Sequence, residues 1–341
     1  MVKVAINGAG RIGRAFLKAS LKNSDIEVVA INDLADIENI AYLLQYDTVY
    51  GKSDFKVEVA GNKNPALIVD GKEISFFSEK DPMQLPWKDL DIDVVVESTG
   101  VFTKFETAKI HIDAGAKKVV ITAPAKDEPG EGQATILMGI NDEKLKTCSV
   151  TSNASCTTNA GSPLIQILNE TVGIEKAVLN TIHGVTASQS VVDSPNKKNP
   201  RLGRGAGQNI IPTSTGAAKA TTKVITELEG KFDGIALRVP VPAGSIADIT
   251  FISKRPTSVE EVNKILEDAS KEERWQGIFT ITHDPLVSSD ILGSKYGSIA
   301  DLDLTRVIDG NLVKVCAWYD NEAGYTHTLV EHVIKAGSHL K

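Results

Sequence analysis

Cysteine, tryptophan and methionine each occur only three times in 341 residues, and aromatic residues make up 5%. The cysteines, Cys148, Cys156 and Cys316, are odd in number and unrelated in spacing. That excludes a disulfide framework and offers no zinc-ligand pattern, so no metal is expected. Excess positive charge is missing as well: 37 Lys and Arg against 44 Asp and Glu leave a net charge of -7. Neither nucleic acid nor an anionic membrane is therefore expected as a dedicated partner, and an anionic ligand must meet locally placed cations. No run approaches the roughly 18 apolar residues of a membrane span. The start, Met1-Val2-Lys3-Val4-Ala5-Ile6, enters a strand-like pattern directly, without an apolar stretch behind a basic leader. A reducing cytoplasm is the compartment expected for this composition.

What is present is 42% hydrophobic and 24% charged residues, enough for a large core and about two domains. The first 150 residues alternate short apolar runs with helix-like segments: Val2 to Asn7, Glu27 to Asp33, Val94 to Ser98, Val119 to Ala123 and Ser149 to Ser152. This is the pattern of a parallel sheet with crossover helices. Lys56 to Ala60, Ala66 to Val69 and Glu73 to Phe77 alternate around turn residues such as Asp70-Gly71 and read as an antiparallel insert. After Cys156 the style changes. A helix-like Leu164 to Glu170 precedes longer strands at Ala177 to Ile182, Ile235 to Val239, Ala247 to Ser253, Ile278 to Thr282 and Val313 to Tyr319. Helical spacing returns at Ser258 to Ala269 and at Gly324 to Gly337. Gly184 to Gly207 has no period and carries Lys197, Lys198, Arg201 and Arg204, a long loop of the kind usually tied to function.

Gly8-Ala9-Gly10-Arg11-Ile12-Gly13 is a G-x-G-x-x-G that follows a strand and opens a helix. In that context Gly8 makes the tight turn, Gly10 admits a pyrophosphate to the backbone, and Gly13 allows close packing. The helix N-terminus offers N–H groups to the anion. Asp33 lies 20 residues beyond Gly13 at the end of the next strand-like run. A carboxylate there accepts from both adenine-ribose hydroxyls and repels a 2′-phosphate, so NAD is preferred over NADP. The structural alternative is that the glycines merely shape a turn and Asp33 caps the next segment.

Cys156 stands among small polar residues in Ala154-Ser155-Cys156-Thr157-Thr158-Asn159, at a change from strand-like to helix-like sequence. Helix N-termini and neighbouring imidazolium groups lower a thiol pKa. Pro163, tolerated chiefly in a first helical turn, places the expected helix start several residues later. Of six histidines, His183 ends an apolar strand just before Gly184, where a side chain can face a cleft and serve Cys156 as base.

These motifs, with His183-x-x-Thr186, Ser214-Thr215-Gly216-Ala217-Ala218-Lys219-Ala220, Leu237-Arg238-Val239-Pro240 and Trp318-Tyr319-Asp320-Asn321-Glu322, resemble the phosphorylating glyceraldehyde-3-phosphate dehydrogenases along the whole chain. The resemblance implies an α/β fold: a Rossmann-type doubly wound parallel sheet in residues 1–155, completed by a C-terminal helix of about 321–341, and an α+β antiparallel-sheet catalytic domain in 156–320. It implies attack by Cys156 on an aldehyde, His183 as base, and an acyl thioester resolved by inorganic phosphate. Thr186 and Arg238 would take the substrate phosphate, and Ser155, Thr157, Thr215 and Gly216 the attacking one. Arg11, Ile12, Lys80, Thr99, Thr122 and Asn321 would join Gly8, Gly10, Gly13 and Asp33 around NAD, and Pro195 matches the NAD-using branch. A homotetramer is also implied, with the long loop lining the neighbour's cofactor site. Lys80, Leu202, Ala323 and Thr328 depart from residues common in the family. A hydrolytic erythrose-4-phosphate dehydrogenase and a binding protein on the same scaffold are the rival readings; intact Thr186, Thr215-Gly216, Cys156 and His183 count against both.

Exchange of Asp33 for Ala is expected to narrow the gap between NAD and NADP, read as the ratio of kcat/KM for the two; an unchanged ratio contradicts the ribose assignment.

Overall fold

Short β-branched runs give the strands of the first unit their burial, and the turns between them set the order. β1 (Val2–Asn7), α1 (Arg11–Ser20), β2 (Ile26–Asn32) and α2 (Ile37–Gln45) lead into a hairpin of β3 (Tyr46–Asp47) and β4 (Gly51–Lys52). There follow β5 (Val57–Ala60), β6 (Ala66–Val69), β7 (Lys72–Phe77), β8 (Val94–Glu97), α3 (Phe105–Ala108), α4 (Ile110–Asp113), β9 (Lys118–Ile121), β10 (Gln133–Thr135) and β11 (Val150–Ser152). The computed structural model describes residues 1–61, 63–197 and 199–340, so the loop cation Lys198 lies outside the described residues. By contacts the chain divides into Met1–Ala154 with Leu329–Lys341, and Ser155–Thr328.

Nine strands form one sheet in the order β10-β11-β9-β8-β1-β2-β7-β6-β5. Six neighbouring pairs, from β10 through to β7, run parallel. The segments read from sequence as an antiparallel insert do pair antiparallel, β5 with β6 and β6 with β7, and β7 joins them to the sheet through parallel pairing with β2. The order turns at β1, whose neighbours are β2 and β8, and ligands of doubly wound sheets bind at such a switch point. Along β1 the period of two sends Val4 and Ile6 to a core with Phe16, Leu17, Leu329 and Val333, and Ala5 to another with Trp87, Val95 and Phe105.

The second unit opens on α5 (Cys156–Thr171) and continues through β12 (Ile174–His183), β13 (Ile211–Ser214), α6 (Ala217–Thr222), β14 (Phe232–Arg238), β15 (Ser245–Ser253), α7 (Val259–Ala269), β16 (Phe279–Thr282), β17 (Ser298–Ile308) and β18 (Leu312–Tyr319). α8 (Ala323–Ser338) closes the chain. The seven strands lie in the order β13-β14-β12-β15-β18-β17-β16. The β12–β14 and β16–β17 pairs are parallel and the other four antiparallel. β13 and the 11-residue β17 escaped the sequence reading. In β17 the polar Asp301, Asp303, Thr305 and Arg306 interrupt the apolar run that marks a strand.

α5 starts at Cys156 and runs through Pro163, contrary to the later start expected from that proline. An interior proline costs about 3 kcal/mol. Burial of Leu164, Ile165, Ile167 and Leu168 returns roughly 1.5–3 kcal/mol each and outweighs it. The Ser155 hydroxyl accepts from Thr158 N (3.0 Å), a cap of about 1 kcal/mol that fixes where the helix begins.

Fully buried His332 of α8 bonds Asn153 Oδ1 through Nδ1 (3.0 Å) and Thr151 Oγ1 through Nε2 (2.8 Å). Burial pushes its pKa down to about 3, with Asp142 pulling the other way and Lys118 adding a smaller push downward. The unfolded histidine, near 6.5, binds a proton the folded one refuses, so this stability is present above about pH 6.5 and is lost as pH falls toward 3. The urea midpoint is expected to fall between pH 7.5 and 5, with His332→Gln reducing proton uptake on unfolding by about one. An unchanged pH slope in the variant contradicts this.

Candidate active site

The turn after β1 meets the geometric demands of a pyrophosphate. Gly8 has φ +99°, and a Cβ there would lie 2.7 Å from Thr99 N. A Cβ on Gly13 would lie 2.0 Å from Gly8 O, whereas one on Gly10 would meet nothing within 4 Å. Gly8 and Gly13 thus serve the chain's own packing, while Gly10 leaves the approach to α1 open. Gly10 caps α1 without a side-chain hydrogen bond, so the capping residue itself leaves the N–H groups of the first turn to an anion. The Asp33 carboxylate accepts from Ala9 N (2.6 Å) and Ala35 N (2.8 Å). It therefore both ties β2 to the glycine turn and shapes its own, and two of its roughly four acceptor sites remain for ribose hydroxyls.

Arg11 turns its guanidinium to Asp47 (2.6 Å) and over the Tyr50 ring. Thr99 gives its N–H (2.9 Å) and hydroxyl to Glu97. Thr122 follows β9 with its N–H on Glu97 O (3.0 Å), and Lys80 is exposed just past Glu79, which Asn32 holds by both backbone groups. These residues fit a dinucleotide: an open glycine cradle, a carboxylate with spare acceptors, and exposed hydroxyl and ammonium groups.

In the second unit, chemistry gathers at the head of α5. Half-buried Cys156 is its first residue, and Sγ lies 3.4 Å from His183 Nε2. His183 ends β12, and the parallel register sets it directly opposite Arg238 at the end of β14. Arg238 Nη1 comes to 2.5 Å from His183 Nδ1 and 3.2 Å from Gly184 O. Gly184 O also faces Nδ1 at 2.7 Å. One ring nitrogen thus confronts a donor and an acceptor and satisfies one at a time. Arg238 Nε is buried with no partner among the described residues, leaving a cationic donor unspent.

Several supports were not anticipated. The buried Tyr319 hydroxyl bonds Thr157 Oγ1 (2.9 Å) and Thr181 Oγ1 (2.7 Å), and its ring stands edge-on to His183. Asn321 Oδ1 accepts from Gly244 N and Ser245 Oγ, both at 3.1 Å, and Ser245 Oγ accepts from Gly184 N (3.1 Å). Thr186 takes its N–H to Gln189 (3.1 Å) and its hydroxyl to Ser188 (2.9 Å). The strand period hints at Thr181 and Tyr319 as inward positions; nothing in the sequence singles out Ser245 or Gln189. Ile211 pairs with Arg238 and Ser214 with Ile235, so Thr215 and Gly216, which caps α6, continue from the far end of this ladder.

Burial pushes the Cys156 thiol up, against the pull of Arg238 and of hydrogen bonds from Thr157 and the backbone. Burial and Arg238 push His183 down to about 3. The lowering of the thiol expected at a helix N-terminus is therefore corrected: either charge alone is disfavoured in this pocket. One proton moving from Sγ to Nε2 creates both charges side by side, each offsetting the other's penalty, and the pair titrates as a unit. Such a pair suits nucleophilic attack with proton transfer.

Residues 2–105 match the NAD-binding domain, and residues 155–321 the C-terminal domain, of glyceraldehyde 3-phosphate dehydrogenase. The chain belongs to this family. Glyceraldehyde-3-phosphate dehydrogenases of Geobacillus stearothermophilus and Clostridium acetobutylicum are each 49% identical to it, over 97% of this chain and 96% and 97% of theirs. A Streptomyces avermitilis relative, named glyceraldehyde-3-phosphate dehydrogenase 2, is 46% identical over 99% of both chains. The family's NAD-binding domain here spans the Gly8 turn, Asp33, Lys80 and Thr99, and its C-terminal domain spans Ser155 through Asn321. Thr122 falls between the two matched regions.

Proposed function

We propose that the chain oxidises glyceraldehyde 3-phosphate with NAD and inorganic phosphate to 1,3-bisphosphoglycerate, through an acyl thioester on Cys156. The observation that carries this reading is the convergence of Cys156, His183 and Arg238 at one helix N-terminus: a nucleophile, its base 3.4 Å away, and an anion-binding cation behind the base. Membership of the family supplies the substrate class.

Cys156 Sγ attacks the aldehyde carbon, and the head of α5 favours the anion that does so. The proton that His183 Nε2 took from Sγ passes to the aldehyde oxygen as the C–S bond forms, and Nε2 takes it back as the carbonyl re-forms, a transfer worth about 10²–10⁴-fold in rate. NAD, when bound, supplies the hydride acceptor. Cys156 is left as a thioester, inorganic phosphate attacks its carbonyl carbon, the C–S bond breaks, and the acyl phosphate departs.

Arg238 and Thr186 hold the substrate phosphate; Arg238 brings a forked cation that an acidic protein must place deliberately. Ser155, Thr157, Thr215 and Gly216 hold the attacking phosphate. Ser155 and Thr157 begin α5, and Thr215 lies at the end of the β13–β14 ladder away from Arg238, an arrangement that suits two separate anions. Gly8, Gly10, Arg11, Ile12, Gly13, Asp33, Lys80, Thr99 and Thr122 hold NAD. Arg11 acts through its backbone, since its guanidinium is engaged with Asp47. Asn321 faces the nicotinamide carboxamide. The working form is a cytoplasmic homotetramer, which accounts for exposed Val191 and Val192 in the long loop.

The assay is NAD reduction with glyceraldehyde 3-phosphate, with and without phosphate or arsenate. Turnover is expected to require the oxyanion, and Cys156→Ser to lose at least about 10³-fold in kcat. Oxyanion-independent turnover would assign a hydrolytic reaction, and full activity in Cys156→Ser would overturn the mechanism.

A further inference from the structure

At the end of β8, beneath the glycine turn, lies a polar network that no step above uses. Glu97 is 2% exposed and His111 0%. Glu97 Oε2 accepts from Asn7 Nδ2 (2.6 Å) and lies 3.0 Å from His111 Nε2; Oε1 accepts from Thr99 N (2.9 Å) and the Thr99 hydroxyl. Trp87 Nε1 lies 3.1 Å from His111 Nδ1. An indole N–H only donates, so Nδ1 is the acceptor and the imidazole proton sits on Nε2, directed at Glu97. Four donors thus converge on one buried carboxylate, the number of acceptor sites an ionised carboxylate offers.

Donor and acceptor directions propagate outward from it. Because the carboxylate cannot donate, Asn7 must present Nδ2 to Glu97 and turn Oδ1 to Asn32 Nδ2 (2.7 Å). Asn32 must then turn Oδ1 toward Glu79 N (2.8 Å), while its Nδ2 also reaches Glu79 O (2.9 Å). Each residue along this chain adjoins a proposed dinucleotide contact: Asn7 precedes Gly8, Asn32 precedes Asp33, Glu79 precedes Lys80, and Thr99 is itself one. Four separate chain segments take their relative position from a single acid.

We propose that Glu97 is the positioning residue of the dinucleotide site: without touching NAD, its carboxylate sets the register of the Gly8 turn, the Asp33 turn, the Lys80 segment and Thr99, with Trp87 and His111 fixing the proton that makes it a pure acceptor. This rests on the assignment of NAD to the first unit and not on the oxidation of glyceraldehyde 3-phosphate.

Glu97→Gln keeps shape and volume but turns one acceptor oxygen into a donor that faces two donors. Titration calorimetry with NAD is expected to show Kd raised at least tenfold. KM for glyceraldehyde 3-phosphate and kcat at saturating NAD are expected to stay within threefold. A folded Glu97→Gln protein binding NAD within twofold of wild type would overturn the proposal, as would one whose NAD affinity, KM for aldehyde and kcat all worsen together, the mark of a general packing role. If Glu97→Gln does not fold, Asn32→Asp tests the same chain from its far end, because an acceptor replaces the donor that Asn7 Oδ1 requires. The same rise in Kd is expected there, and unchanged affinity overturns the proposal. Wild type that binds NAD without oxidising the aldehyde would sink the proposed reaction and leave this inference standing; wild type that fails to bind NAD would sink the inference.

Discussion

Everything proposed for the second unit depends on one contact, Cys156 Sγ to His183 Nε2 at 3.4 Å. The pocket penalises a lone thiolate and, with Arg238 against Nδ1, a lone imidazolium as well. Proton exchange between the two groups escapes both penalties, so reactivity belongs to the pair and is lost if either member moves. The surrounding structure is largely a device to keep them apart by that distance and no other.

Three features of ordinary secondary structure achieve this. The Ser155 cap starts α5 at the cysteine, and burial along α5 carries the helix past Pro163. Parallel pairing of β12 with β14 places His183 and Arg238 opposite one another at the ends of their strands. Tyr319, at the end of β18, joins β12 to α5 by bonding Thr181 and Thr157 at once. None of these groups reacts, yet each fixes one coordinate of those that do. Glu97 plays the corresponding part for the dinucleotide turn, where a buried acceptor converts separate loops into one surface.

Much of this was legible in the sequence where the signal is local. The glycine turn, Asp33 after the next strand and the helix read from Ser258 to Ala269 all depend on neighbours within a few residues, and they form as their patterns dictate. Long-range outcomes were less legible. β17 hides behind polar residues that its neighbours satisfy, as Trp318 Nε1 does by donating to Asp301 (2.9 Å). Helix α5 defeats a rule about proline because tertiary burial exceeds the local cost. His111 and His332 carry no sequence mark of their buried partners, which come from 14 and 179 residues away. The family resemblance named functional residues, but it could not tell that Arg11 spends its guanidinium on Asp47 or that the Ser155 hydroxyl already caps a helix.

The coupling of thiol and imidazole is measured most directly by the rate at which iodoacetamide, an uncharged reagent, alkylates Cys156 across pH, followed by mass spectrometry in wild type and His183→Asn. At neutral pH wild type should react at least tenfold faster than the variant, with buried Cys148 and Cys316 unlabelled in both. Superimposable pH profiles for the two proteins would show that the imidazole does not govern the sulfur, and the account of this site would fail.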